Sequence, residues 1–160
     1  MFKPRIRLVA GFAVLGVFIP AFVWSQQDIP LSVRAQPKAT PVADTKLLME
    51  GIAQANFKGV EKMLKGKPED VEAWTFARGQ SLLMAETGNL LLMRPPNQGR
   101  EVWNKCAVEL RESATRLGRA AAERDLNTSR ARLTEVANAC NKCHQSFRVA
   151  ARLNPFHDEK

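Results

Sequence analysis

The sequence predicts an all-α protein, an antiparallel up-down-up-down four-helix bundle, and three observations carry that expectation. The 160 residues include no Tyr and only nine Gly, and they are rich in Ala, Leu, Arg and Glu, a helix-forming composition. Few β-branched runs offer a strand pattern. Four amphipathic stretches of about twenty residues follow one another through short connections, which makes neighbouring helices antiparallel. The length allows one such domain with a core and little else.

The first helix is expected from about Asp44 to Leu64. Asp44 is its N-cap, and Leu48, Ile52, Asn56, Val60 and Met63 recur at spacings of three and four. "KGKP" (Lys65 to Pro68) ends it. The second is expected from Pro68 to Met93, with Pro68 in the first turn and Glu69, Asp70 and Glu72 at the positive end of the helix dipole. "RPPNQG" (Arg94 to Gly99) stops it. The third runs from Arg100 to Arg124 with a stripe of Trp103, Ala107, Leu110, Ala114, Leu117 and Ala121. A turn at Asp125 to Asn127 supplies a cap, and the fourth runs to about Ala151. Leu133, Val136, Ala137, Cys140, His144 and Phe147 share one of its faces. Met63, Trp74, Leu83, Trp103 and Leu117 read as packing residues.

Ahead of the bundle, Lys3, Arg5 and Arg7 precede an uncharged apolar run from Leu8 to Trp24. The run is long for a signal peptide and at the lower limit for a membrane span. Val23-Trp24-Ser25 and Val33-Arg34-Ala35 both offer small-residue cleavage sites. Signal peptide and retained anchor are both open; either carries the following chain across a membrane, with the basic residues left on the cytoplasmic side. Pro20 and the short span favour cleavage. The expected organisation is a signal or anchor helix over 1–25, a Pro-containing linker over 26–43, the bundle over 44–152 and a tail over 153–160. The net charge of +8 is spread among acids, with no dense basic block interleaved with aromatics, so nucleic acid is not expected as a partner.

Near the C-terminus stands "CNKCHQSFR", Cys140 to Arg148. Two thiols three residues apart, followed by an imidazole, suit three chemistries. A structural zinc site needs four ligands. The motif supplies three, and the remaining candidates are His157 in the tail and Cys106 on the third helix. A redox dithiol wants a helix start beside a βαβ unit, and no strands are expected here. The third chemistry is covalent haem attachment, for which C-x-x-C-H is the signature. On a helix, Cys140 and His144 lie one turn apart on one face, with Cys143 beside them. The thiols can then bond two vinyl groups on one haem edge while the imidazole sits under the iron. Export fits this chemistry.

With these residues in view, the chain resembles a class II cytochrome c, the group containing cytochrome c′ and its low-spin relatives. The resemblance covers about Asp44 to Ala151. "CNKCHQSFR" matches the family's C-x-x-C-H-x-x-[FY]-[RK], placed at the C-terminal end of the last helix. "LLMEGIAQANFKGVEKML" resembles the first helix and "EVWNKCAVELRESATRLGRAAAERDL" the third. The resemblance implies one covalent haem c, bound through Cys140 and Cys143 with His144 on the iron. It places a distal residue at Met49. Where the family often carries an Arg for a propionate, this chain has Thr45 with Lys46 beside it. Arg148 matches the family's basic residue near the proximal His. A homodimer built on the first two helices is also implied.

In an antiparallel bundle, the residues able to face His144 lie near Leu47 to Ile52, Met84 to Met93, and Arg100 to Trp103. Met49 is the best placed, and Met84 and Met93 are its rivals. A Met opposite a His raises the reduction potential and gives a six-coordinate site. Met is also a common core filler, and some five-coordinate relatives carry it without ligation. Cys106 reads as a buried free thiol, with haem ligation or an intermolecular disulfide as alternatives, and His157 as an exposed tail residue. The function expected is exported electron transfer by Fe(III)/Fe(II) cycling with redox partner proteins in the periplasm or membrane. The alternatives are a five-coordinate protein binding NO or CO, and an accessory haem subunit anchored through residues 8–24. No distal acid–base pair is visible, so no enzyme is expected.

Overall fold

The computed structural model describes residues 38–157. Four helices and no strands are found among the described residues. The expected signal or anchor helix lies outside them. Among them, no helix is long and apolar enough to cross a membrane.

Helix α1 covers 45–65 and is not one regular α-helix. It starts as α over Thr45–Leu48, widens to a π-helix over Met49–Gln54, and returns to α over Ala55–Lys65. Asp44 caps it by accepting from the Leu47 amide at 2.8 Å. The π turn adds one residue to a revolution, so the buried positions step by five from Leu48 to Ala53 before resuming at Phe57, Val60 and Leu64. Leu48, Asn56 and Val60 of the expected stripe are buried, while Ala53 and Leu64 take the buried places expected of Ile52 and Met63. Leu64 is fully buried, and Met63 only packs against the core from its edge. Asn56 is buried and donates its side-chain amide to the Ile52 carbonyl at 2.7 Å, within the loosened turn.

Helix α2 covers Val71–Leu92. Its start is later than the expected Pro68. Lys67 takes a left-handed conformation (φ 53°), and the helix begins only where Asp70 accepts from the Ala73 amide at 2.6 Å. The face buried by α2 carries Trp74, Ala77, Ser81, Met84, Ala85, Gly88 and Leu91. Leu83 lies off that face and is 47% exposed, which corrects its expected packing role. Helix α3 covers Arg100–Ala122 after Gly99, whose φ of 73° is readily available to glycine. Its expected stripe is realised: Ala107, Leu110, Ala114, Leu117 and Ala121 are buried, and Trp103 packs against the core.

Asp125 starts helix α4, Leu126–Ser146, accepting from the Thr128 amide at 3.0 Å and the Thr128 hydroxyl at 2.6 Å. The helix stops short of the expected Ala151. Arg148 is left-handed (φ 57°); its amide bonds the Gln145 carbonyl at 3.3 Å and the Val149 amide reaches back to His144 at 2.8 Å. This is a Schellman closure with arginine where glycine is usual.

Leu64, Met84, Leu117, Leu133, Val60 and Val136, drawn from all four helices, are fully buried. Side-chain bonds show which ends meet. Arg94, just beyond α2, donates to the Ala43 carbonyl at 3.1 Å, immediately before α1. Trp103, early in α3, donates to Leu91 at 2.8 Å and meets the Phe147 ring beyond α4. The start of α1, end of α2, start of α3 and end of α4 thus share one end, as antiparallel neighbours require.

Helices α2 and α3 approach closely at Gly88. A Cβ there would lie 2.7 Å from the Ala107 carbonyl oxygen and 2.9 Å from the Arg111 amide nitrogen. Both are backbone atoms, which cannot swing aside. Gly88→Ala should therefore destabilise the fold by about 2 kcal/mol, read from the midpoint of denaturant unfolding.

The Asp125 carboxyl is held below its ordinary range, chiefly by the Thr128 hydroxyl and then by backbone amides. A depressed folded value contributes stability above the unfolded carboxylate value, and that stability is lost as pH falls through the folded value. Asp125→Ala should lower the melting temperature near neutrality, and the gap from wild type should close in acid. Thermal melts along a pH series check this.

Candidate haem site

The last two turns of α4 carry Cys140, Cys143 and His144. Cys140 belongs to the buried apolar cluster, which also holds Leu48 and is flanked by Met49, Ile52 and Trp103. Cys143 is half-buried, and both thiols are free. Burial pushes the Cys140 thiol up to about 12. Cys143 is also pushed up to about 12, first by burial and then by the neighbouring Cys106 thiol. Both are neutral S–H groups near neutral pH.

His144 Nδ1 lies 3.0 Å from the Ala151 carbonyl oxygen. A carbonyl only accepts, so this contact selects the tautomer with the proton on Nδ1 and leaves the Nε2 lone pair available. The reversal at Arg148 makes the contact, by turning the chain back along α4. Beyond it, Asn141 grips the returning strand twice, donating to the Leu153 carbonyl at 2.7 Å and accepting from the Leu153 amide at 2.8 Å. The Phe156 amide donates to Glu61 at 3.0 Å, and the Arg130 guanidinium lies 4.3 Å from the Phe156 ring centroid. Residues 151–156 thus form a strap along α4. Sequence reasoning missed the Ala151 partner because the contact needs a backbone reversal that no glycine announces.

The same end is closed by aromatic packing. Trp103 and Phe147 meet edge to face, centroids 5.3 Å apart at 83°, a pair worth about 1 kcal/mol beyond its buried area. Gly99 lies under the ring; a Cβ there would come within 3.4 Å of Phe147.

The other sequence-derived candidates fall as follows. Met49 is half-buried at the start of the π segment, packed against the cluster that contains Cys140. Thr45 is half-buried and Lys46 exposed, with the Lys46 ammonium 3.9 Å from Glu50. Met84 is fully buried on α2, while Met93 is half-buried at its C-cap. Arg148 is exposed and lies just beyond α4, in the reversal. His157 is exposed, within the segment that follows the strap. Cys106 is buried, free and beside Cys143. Among the described residues, no three His, Cys, Asp or Glu side chains converge as a metal-ion site.

The donor set fits a haem. Two neutral thiols and an oriented imidazole lie together at one end of the bundle, beside an apolar cluster, which is what covalent attachment and axial ligation require. The class this fold and site support is a haem-binding cytochrome.

Comparison with known proteins agrees. Residues 98–148, which take in all of α3 and α4 and the thiol–imidazole motif, match the family model described as Cytochrome C'. The match supports a class II cytochrome c of the cytochrome c-prime family. No curated protein and no solved structure matches the chain.

Asn141→Ala removes both side-chain bonds to Leu153, worth about 1 kcal/mol each. The strap should then open more often. Hydrogen exchange at the Leu153 and Phe156 amides should accelerate while amides in the middle of α3 keep wild-type protection.

Proposed function

We propose that this chain is an exported c-type cytochrome that carries single electrons. One haem is attached through Cys140 and Cys143, with His144 as proximal and Met49 as distal ligand. The observation that carries the reading is the His144 imidazole, fixed through Nδ1 by Ala151 and one residue from a free thiol. Nε2 is thereby presented in a fixed orientation. The haem would supply the Fe(III)/Fe(II) couple.

The chain's own residues do the rest. Cys140 and Cys143 hold the group at two points, so an apolar end of the bundle retains it through both oxidation states. The Ala151 carbonyl strengthens the imidazole as a donor. Met49 offers a soft thioether from a half-buried position, and a Met opposite a His raises a reduction potential. Trp103 and Phe147 restrict water at this end. Lys46 and Thr45 lie at the start of α1 for a propionate, although Lys46 is shared with Glu50. Arg148, exposed and on the reversal, would place its charge near the proximal side. Periplasmic location rests on the basic-then-apolar N-terminal run and on the haem chemistry, with redox proteins as partners. A homodimer rests on the family resemblance alone.

Absorption spectra of the mature protein, oxidised and reduced, with and without CO, test this reading. A sharp reduced α band unmoved by CO is expected, and Met49→Leu should broaden the spectrum and make it respond to CO. A wild-type spectrum that already shifts with CO would overturn the Met49 ligation and transfer the chain to gas binding. Cys140→Ala with Cys143→Ala should leave no haem on the denatured chain.

A further inference from the structure

The chemistry left unused at the functional end is the guanidinium of Arg152. The Ala151 carbonyl oxygen that meets His144 Nδ1 at 3.0 Å also accepts from Arg152 Nη1 at 2.9 Å. The same nitrogen donates to the Val149 carbonyl at 2.8 Å. Val149 in turn donates its amide to the His144 carbonyl at 2.8 Å. These contacts close a ring that leaves His144 by its main chain, passes through Val149, Arg152 and Ala151, and returns to the imidazole. Asn141 and Glu61 hold the strap further along, at the Leu153 backbone and the Phe156 amide. Arg152 touches the oxygen itself. Among the described residues, no carboxylate forms an ion pair with Arg152.

A carbonyl oxygen has two lone pairs and can accept twice. The bond from Nδ1–H draws that proton outward and makes the imidazole a stronger donor through Nε2. Hydrogen bonds with an ionised partner are the stronger kind. A guanidinium on the second lone pair therefore takes electron density from the oxygen, which then pulls less on the imidazole proton. Its charge, one oxygen away from the ring, also opposes further positive charge on the far side of the imidazole. Both effects favour the reduced state of an iron bound at Nε2. We propose that Arg152 is a positioning residue for His144: it holds the Ala151 carbonyl in place, limits how strongly that carbonyl draws on Nδ1–H, and so raises the reduction potential of a haem bound by His144. The effect on potential rests on the haem reading; the sharing of one oxygen by Arg152 and His144 does not. Arg152 is exposed, so salt screens its charge at a distance but leaves the direct bond to the shared oxygen.

Two variants separate the charge from the side chain's reach. Arg152→Gln keeps a donor and loses the charge, while Arg152→Lys keeps the charge. Reduction potentials of the loaded protein are measured by spectroelectrochemical titration in high salt. Arg152→Gln should titrate below wild type, and Arg152→Lys should return most of the way to it. A potential in Arg152→Gln that is unchanged or raised would overturn the proposal, the raised value because a side chain that only steadied the carbonyl would act in that direction. A Lys variant that titrates with the Gln variant would overturn it as well. The second readout needs no haem. In the full chain before loading, the carbonyl carbon resonance of Ala151 should move in Arg152→Gln, while hydrogen exchange at the Leu153 amide stays at the wild-type rate and shows the strap still docked. An Ala151 resonance that does not move would overturn the shared oxygen. If that resonance moves but no haem is ever held covalently, the haem reading fails while the Arg152–Ala151–His144 contact stands.

Discussion

Everything at the functional end depends on how closely α3 lies against its neighbours. At Gly88 the backbones of α2 and α3 approach until no Cβ fits between them. On the other side, α3 meets α4 through Ser113, Ala139 and the Glu109–Lys142 pair. With α3 fixed on both sides, the height of Trp103 relative to Phe147 follows, and so does the end of the bundle at which His144 emerges. Exposed ion pairs add little stability of their own. Their value here is to mark a register that small residues and buried apolar surface impose.

The second constraint is the reversal at Arg148. A helix continued to Ala151 would have carried Val149 and Ala151 away from His144. The left-handed residue instead folds the chain back, so that a main-chain carbonyl meets the imidazole. The His144 imidazole is thus positioned by backbone, and the backbone is positioned by Asn141, within the motif itself, and by Phe156 against α1 and Arg130. Orientation of the imidazole and docking of the strap are one structural event.

Much of this was legible from sequence. The α3 stripe and the Cys140–His144 face needed only helical periodicity, and both are found. The Asp44 cap and the breaks around "KGKP" and "RPPNQG" needed only cap and turn chemistry. Other features were hidden for physical reasons. The π turn in α1 leaves no mark in composition; it appears only when the buried residues are seen to step by five. Arg148 and Lys67 take a backbone conformation that glycine would advertise, and here long side chains carry it. Leu83 has the hydrophobicity of a core residue and the phase of a surface one, and α2 carries enough apolar residues on all sides to blur that phase.

The π turn gives α1 a particular tolerance to change in length. A revolution with one surplus residue is what a single-residue insertion leaves in a regular helix. Removing Gly51, which is exposed with open space around it, would return the segment to regular winding with Phe57, Val60 and Leu64 still in place. Only Leu48, Met49 and the turn before them would be rotated relative to the bundle. First helices of this kind can thus differ in length by one residue yet share a core, while packing a different side chain against the apolar cluster. Evolution could exchange the side chain that packs there by a one-codon deletion, with no substitution at that position.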